Sequence, residues 1–198
     1  MIYESIDARE LRIDTRELSA RLGAPIGTQI DGFEDLYALL LSSAKPAYSA
    51  IYVNLNRQND GIAMGNIHTH SRALREVTRD STECILLAAT LGIGVDRLVI
   101  RMGNISARDA FVVDAMADAL IEALCDEAEK RLCKGIDTAP RFSPGYADLE
   151  LSIGREILKM TDAERLLGIK LSESGLMIPK KSVNAIIAIK NGKKNDEN

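Results

Sequence analysis

Residues 107–132, ARDAFVVDAMADALIEALCDEAEKRL, form the longest stretch of helical periodicity in the chain. Ser106 stands where an N-cap belongs, and Asp109 three residues on completes a capping-box arrangement. A helix of this length has to bury its apolar face against another layer, and the remaining segments supply both strands and helices. TRELSARLG (15–23) and FEDLYALLLSS (33–43) have helical spacing, the first stopped by Gly23. From 45 to 70 the pattern turns to strands, SAIYVNL being the clearest. SRALREVTRD (71–80) reads as a short helix and ECILLAATLG (83–92) as a buried strand running into a glycine-rich turn. A helix follows across VDRLVIRM, another covers LELSIGREILKMTDAERLLG up to Gly168, and KLSESGLMIPKKSVNAIIAI reads as two strands around Pro179. Helices and short strands mix without regular βαβ alternation. That pattern predicts an α+β fold with a mixed, largely antiparallel sheet and flanking helices. Residues 1–190 are expected to form one domain and 191–198, NGKKNDEN, a polar disordered tail.

Composition narrows the function classes. With 198 residues and a net charge of -4, the chain lacks the basic surplus on which phosphate-driven nucleic-acid binding depends. No apolar run approaches the roughly 20 residues that span a bilayer, and the charged start MIYESIDARELRID does not look like a signal peptide. Three cysteines, Cys84, Cys125 and Cys133, are neither an even set nor a close pair, which suits a reducing cytoplasm. His68 and His70 in NIHTH fall on one face of a strand. They are the only histidines, and without a third ligand nearby no metal site is expected. TLGIGVD lacks the lysine of a P-loop and the spacing of a dinucleotide fingerprint, so it is expected to be a strand-to-helix turn.

Two features do carry chemistry. The first is an acid stripe on the long helix: Asp114, Asp118, Glu122 and Asp126, at steps of four. Like charges at that spacing repel by roughly 0.2–0.5 kcal/mol per pair. Each step also drifts about 40° around the axis, so the stripe winds, and either it is solvated throughout or one member turns inward towards a cation. The second is RFSPGY (141–146), where a rigid Pro-Gly turn lies between a fork-shaped cation and an aromatic plate.

The order of these motifs resembles the activation domain of cobalamin-dependent methionine synthase, which binds S-adenosylmethionine. That family has an Arg, Pro-Gly-Tyr turn, then a helix, then a Leu-Thr-Glu-Ser…Met-x-Pro…Ser-Val stretch. The counterparts are Arg141, Pro144, Gly145 and Tyr146, then Leu171, Ser172, Glu173, Ser174, Met177, Pro179, Ser182 and Val183. ECILLAATLGIGVDRLVIRM and the long helix are similar to small stand-alone relatives of that domain, and the likeness is looser before residue 70.

The resemblance implies roles residue by residue. Arg141 would hold the carboxylate of S-adenosylmethionine, a task suited to a planar bidentate donor. Ser143, Gly145 and Tyr146 would contact the adenosine part, Ser143 standing where the long synthases have Ala. Glu122, placed by aligning DALIEAL, would lie beside the ligand's amino group. No catalytic acid or base is implied, because the domain works by positioning a methyl donor over a corrin. Cobalamin would be carried by a partner, since the chain has no Asp-x-His-x-x-Gly motif. The partner would be a truncated methionine synthase or another corrinoid protein, with a one-electron donor such as flavodoxin or ferredoxin. The implied function is that of a separate cytoplasmic reactivation subunit, a methyltransferase component active only with its partner. The alternatives are a docking module for another corrinoid methyltransferase and a scaffold that has lost its ligand.

Overall fold

A computed structural model describes residues 1–58 and 60–190; the tail expected to be disordered lies outside them. The elements run β1 (Ile2–Ser5), a short 3-10 turn, α1 (Thr15–Leu22), α2 (Phe33–Ser43), β2 (Ala47–Arg57), β3 (Ile62–Met64), β4 (Ile67–Thr69), α3 (Arg72–Val77), β5 (Ser81–Thr90), α4 (Ile93–Gly103), α5 (Ala107–Leu132), α6 (Ile153–Met160), α7 (Ala163–Leu167), β6 (Lys170–Leu171), β7 (Met177–Ile178) and β8 (Ser182–Lys190). The main sheet has the order β4-β3-β2-β5-β8, with β1 paired to β2, and each of these pairs is antiparallel. β6 and β7 form a separate hairpin. The fold is α+β with an antiparallel sheet, as the mixed pattern predicts.

Both faces of the sheet are covered, which explains why β5 reads as an unbroken apolar run rather than an alternation. Its side chains still alternate. Ile85, Leu87 and Ala89 pack with the helices α1, α2, α4 and α5, while Cys84 and Leu86 face a second cluster containing Leu74, Phe142, Leu149, Ile153 and Ile157. On α5, Val113, Met116, Ala117, Leu120, Leu124 and Ala128 recur at steps of three and four and are fully buried. Burial of each larger side chain stabilises by about 1.5–3 kcal/mol. Ser106 caps this helix as expected, its Oγ accepting the Asp109 N–H at 3.2 Å. Gly23 ends α1 in the left-handed conformation, φ 63°. The TLGIGVD segment is a strand-to-helix turn, with Gly92 at φ 80°. Among the described residues no helix is long and apolar enough to cross a membrane.

Two expectations need correction, and one strand lies where none was expected or excluded. The helix expected across 149–168 is two helices. It breaks at Thr161, whose hydroxyl bonds back to the Ile157 carbonyl, and at Asp162, which is left-handed at φ 52°. The segment after Gly168 contributes three strands rather than two, because Ser172 and Gly175 fold KLSESGLMI into a tight hairpin before β8. Finally, β1 pairs Ile2–Ser5 with Ala50–Ala47, although nothing in that charged beginning announced a strand.

Candidate functional site

The free edge of β8 receives the segment before the Pro-Gly turn. Phe142 exchanges both backbone hydrogen bonds with Ile186 at 2.9 Å, and Ala139 N–H donates to the Ala188 carbonyl at 2.9 Å. This short pairing fixes which way the side chains point. Phe142 enters the second core cluster, so its neighbour Arg141 projects to the opposite face, towards α5. There its Nη1 donates to Asp126 Oδ1 at 2.6 Å and Glu129 Oε2 at 3.0 Å, and its Nη2 to Glu122 Oε2 at 3.1 Å. The three acids sit at steps of four and three, one face of the helix.

Arg141 is therefore a neutralised cation. Its side chain is 20% exposed, against 36% for Glu122 and 72% for Asp126. Burial works against the guanidinium charge, but the hydrogen bond to Asp126 and the neighbouring negative charges outweigh it and hold the pKa above its ordinary value. One cation among three carboxylates leaves a local charge of -2, a setting that attracts a further cation. The rest of the stripe is also paired. Lys181, nearly buried, places Nζ 2.8 Å from Asp114 and 2.6 Å from Asp118, and Arg21 lies 3.4 Å from Asp118. The stripe is neither purely solvated nor inward at one position. Cations from the residue just before β8, from α1 and from the start of the turn line it along its length.

The turn itself is well determined. Gly145 adopts φ 86°, a value that favours glycine. Its N–H donates to the Leu149 carbonyl at 2.8 Å, and the Tyr146 N–H to the Ser143 carbonyl at 3.1 Å. Tyr146 is 70% exposed and meets Phe142 edge to face, ring centroids 5.7 Å apart. Beside the turn lies a cavity of 290 Å³ walled by Ser143, Pro144, Gly154, Arg155, Met177 and Asn184. Pockets for drug-sized ligands start at about 300 Å³, so this one has room for part of such a molecule. Asn184 is 8% exposed; its Nδ2 reaches Met177 Sδ at 3.4 Å, and its Oδ1 has no hydrogen-bond partner among the described residues. Sequence reading passed over Asn184, Arg155 and Gly154. The available signal was a lone amide inside the apolar run VNAIIAI.

The structure thus brings Arg141 and Glu122 into contact and places Ser143 on the cavity wall. Gly145 forms the corner of the turn and Tyr146 is exposed beside it, and neither lines the cavity. Among the described residues the two most capacious cavities lie elsewhere: one of 780 Å³ lined by Tyr3, Arg9, Leu41 and Lys45, and one of 560 Å³ lined by Leu18, Leu22, Ile30 and Phe33. Neither contains a turn residue, and size alone does not make them the site. His68 lies on β4 and His70 just beyond it, with His70 Nδ1 3.1 Å from the Asp60 carbonyl oxygen. Among the described residues no group of three His, Cys, Asp or Glu side chains is placed to hold a metal ion.

No family model matches the chain, and no curated protein matches it. Among solved structures, the crystal structure of the MetH reactivation domain bound to AdoHcy matches with a TM-score of 0.71 at 18% identity, covering 98% of this chain and 80% of that one. At that identity the likeness is one of architecture. The chain has the fold of the MetH reactivation domain.

Proposed function

We propose that the protein binds S-adenosylmethionine at the 141–146 turn and serves as a separate reactivation subunit for a partner that carries cobalamin. The observation that carries this reading is the meeting of Arg141 with Glu122 beside a left-handed glycine turn, in a fold shared with an AdoHcy-bound domain. On this reading the ligand carboxylate takes a guanidinium edge now held by Asp126, whose exposed position makes it the cheapest of the three acids to displace. Glu122 and Glu129 receive the ammonium group. The nucleoside lies against Ser143 and the turn backbone, with the adjoining cavity taking its outer part. The methyl group is then held at a fixed place and presented outward, so that positioning rather than acid–base chemistry supplies the rate. A corrin carried by the partner would accept the methyl group, with one electron supplied by a donor such as flavodoxin or ferredoxin, and S-adenosylhomocysteine would leave the turn.

The test is spectroscopic. The protein is mixed with a synthase carrying cob(II)alamin, a one-electron reductant and S-adenosylmethionine. The corrin spectrum is expected to change to that of methylcobalamin, and to remain unchanged when S-adenosylmethionine is omitted. An unchanged spectrum with a cognate synthase and every component present would refute the reactivation role. A second reading has one observation in its favour: Arg141 is already satisfied by three carboxylates, as expected of a scaffold that has lost its ligand. Failure to bind S-adenosylmethionine would select that reading.

A further inference from the structure

We infer that Asp148 and Glu150 are positioning residues for the ligand turn, tying it to the β4–α3 junction 75 or more residues away in sequence. The inference rests on the ligand reading above for its functional consequence, though not for the tie itself. The shape of the turn depends on the Leu149 carbonyl, which accepts the Gly145 N–H, while the Leu149 N–H closes back on the Tyr146 carbonyl at 3.0 Å. Between them Ala147 is held at φ 49°, a left-handed conformation that a residue with a Cβ adopts only when its surroundings impose it.

The surroundings that impose it are two carboxylates bracketing Leu149. Asp148 Oδ1 accepts from Ser71 Oγ at 2.6 Å and from the Ala73 N–H at 3.2 Å, and its Oδ2 accepts from the Arg72 N–H at 2.8 Å. Glu150 Oε2 accepts from Thr69 Oγ1 at 2.8 Å. The two hydroxyl donors are buried and themselves hydrogen-bonded. Thr69 and Ser71 are each 2% exposed, Thr69 Oγ1 accepts the Ser71 N–H, and Ser71 Oγ accepts the Leu74 N–H as the cap of α3. The Ser71 hydroxyl and the Arg72 amide hold the Asp148 carboxyl below the ordinary aspartate range, so it is a permanent acceptor at neutral pH. Both acids are themselves exposed. Their contribution is geometric: they convert a surface loop into a corner with fixed hydrogen-bonding groups. A loop ordered before binding spares the ligand the cost of ordering it.

Two readouts on Asp148→Ala, Asp148→Asn and Glu150→Gln separate the tie from the ligand reading. The first is amide hydrogen exchange without ligand. Asp148→Ala is expected to speed exchange at Gly145, Tyr146 and Leu149 by about tenfold or more while β5 and α5 stay protected. Asn, keeping one oxygen able to accept from Ser71 and Ala73, should restore much of that protection. Faster exchange confined to α3, with the 143–149 amides unchanged, would show that Asp148 merely caps the helix, and would overturn the inference. The second is calorimetric affinity for S-adenosylmethionine, expected to fall about three- to tenfold in Asp148→Ala and less in the Asn and Gln variants. Unaltered affinity in all three variants, where the parent protein binds, would overturn the positioning role. If the parent protein does not bind, the ligand reading and the role that rests on it both fall, and the exchange data still decide the tie.

Discussion

Replacing Glu122 and Asp126 by their amides should separate the acid that serves the ligand from the acid that merely shields Arg141. Both touch the same guanidinium, at 3.1 Å and 2.6 Å, so contact distance alone would rank Asp126 first. Exposure reverses the order. An ion pair with a partner as exposed as Asp126 contributes about 0.2–1 kcal/mol, and a ligand carboxylate arriving at Arg141 forfeits it. Asp126→Asn removes that penalty. It also removes one negative charge at the rim, worth about 1 kcal/mol to an incoming cation at contact distance in water. The two effects oppose one another, and affinity should stay within about fivefold of the parent. Glu122→Gln loses a charged hydrogen bond to the ligand's ammonium, about 1.5–3 kcal/mol, or roughly 10- to 150-fold. Calorimetric titration with S-adenosylmethionine at neutral pH and moderate salt measures both, with thermal melts confirming that each variant is folded. Equal losses in the two variants, or a silent Glu122→Gln, would refute the assignment of Glu122 to the ammonium.

Other expectations follow from the same geometry. The local charge of -2 around Arg141 should favour S-adenosylmethionine, which carries a sulfonium, over its uncharged thioether product by about 1 kcal/mol, and titrations at rising salt should shrink that preference. Gly94→Ala should destabilise by about 1–3 kcal/mol in urea unfolding, because a Cβ there would lie 2.2 Å from the Ser43 backbone carbonyl oxygen. This outweighs the gain of about 1 kcal/mol in helix propensity. All three cysteines are buried and free, and burial pushes the thiols of Cys84 and Cys125 up to about 12 and that of Cys133 up to about 11. An aromatic disulfide reagent at about pH 8 should therefore label none of them until the protein is unfolded.

Much of the architecture was legible because local signals and burial agreed. Ser106 and Gly23 mark helix ends with their own chemistry, and CILLAA, a short unbroken apolar run ahead of a glycine turn, reads as a buried strand. The break at Thr161–Asp162 was not legible. A helical apolar period runs through it, and only the left-handed Asp162 reveals it. The strand β1 is held by tertiary pairing with Ala47–Ala50, which outweighs its charged composition.

The site was half legible. The motif pointed to Arg141 and the turn, and the spacing pointed to the stripe. Which acid would meet which cation depended on how α5 lies across the sheet. The drift of steps of four is corrected by one step of three, so that Glu129, outside the regular stripe, becomes a third partner of Arg141. The ties from Asp148 and Glu150 to Ser71 and Thr69 join residues more than 70 positions apart, and no local pattern announces them.

The central claim, that the 141–146 turn is a clamp for S-adenosylmethionine, is tested most directly by titrating the ligand into the parent protein and into Arg141→Ala and Arg141→Lys. The account predicts saturable binding of one ligand per chain in the parent. Alanine should weaken it by about 1.5–3 kcal/mol, the range of a hydrogen bond to a charged group. Lysine should recover only part, since a point charge does not replace a fork. No binding by the parent protein, or equal binding by all three, would contradict it.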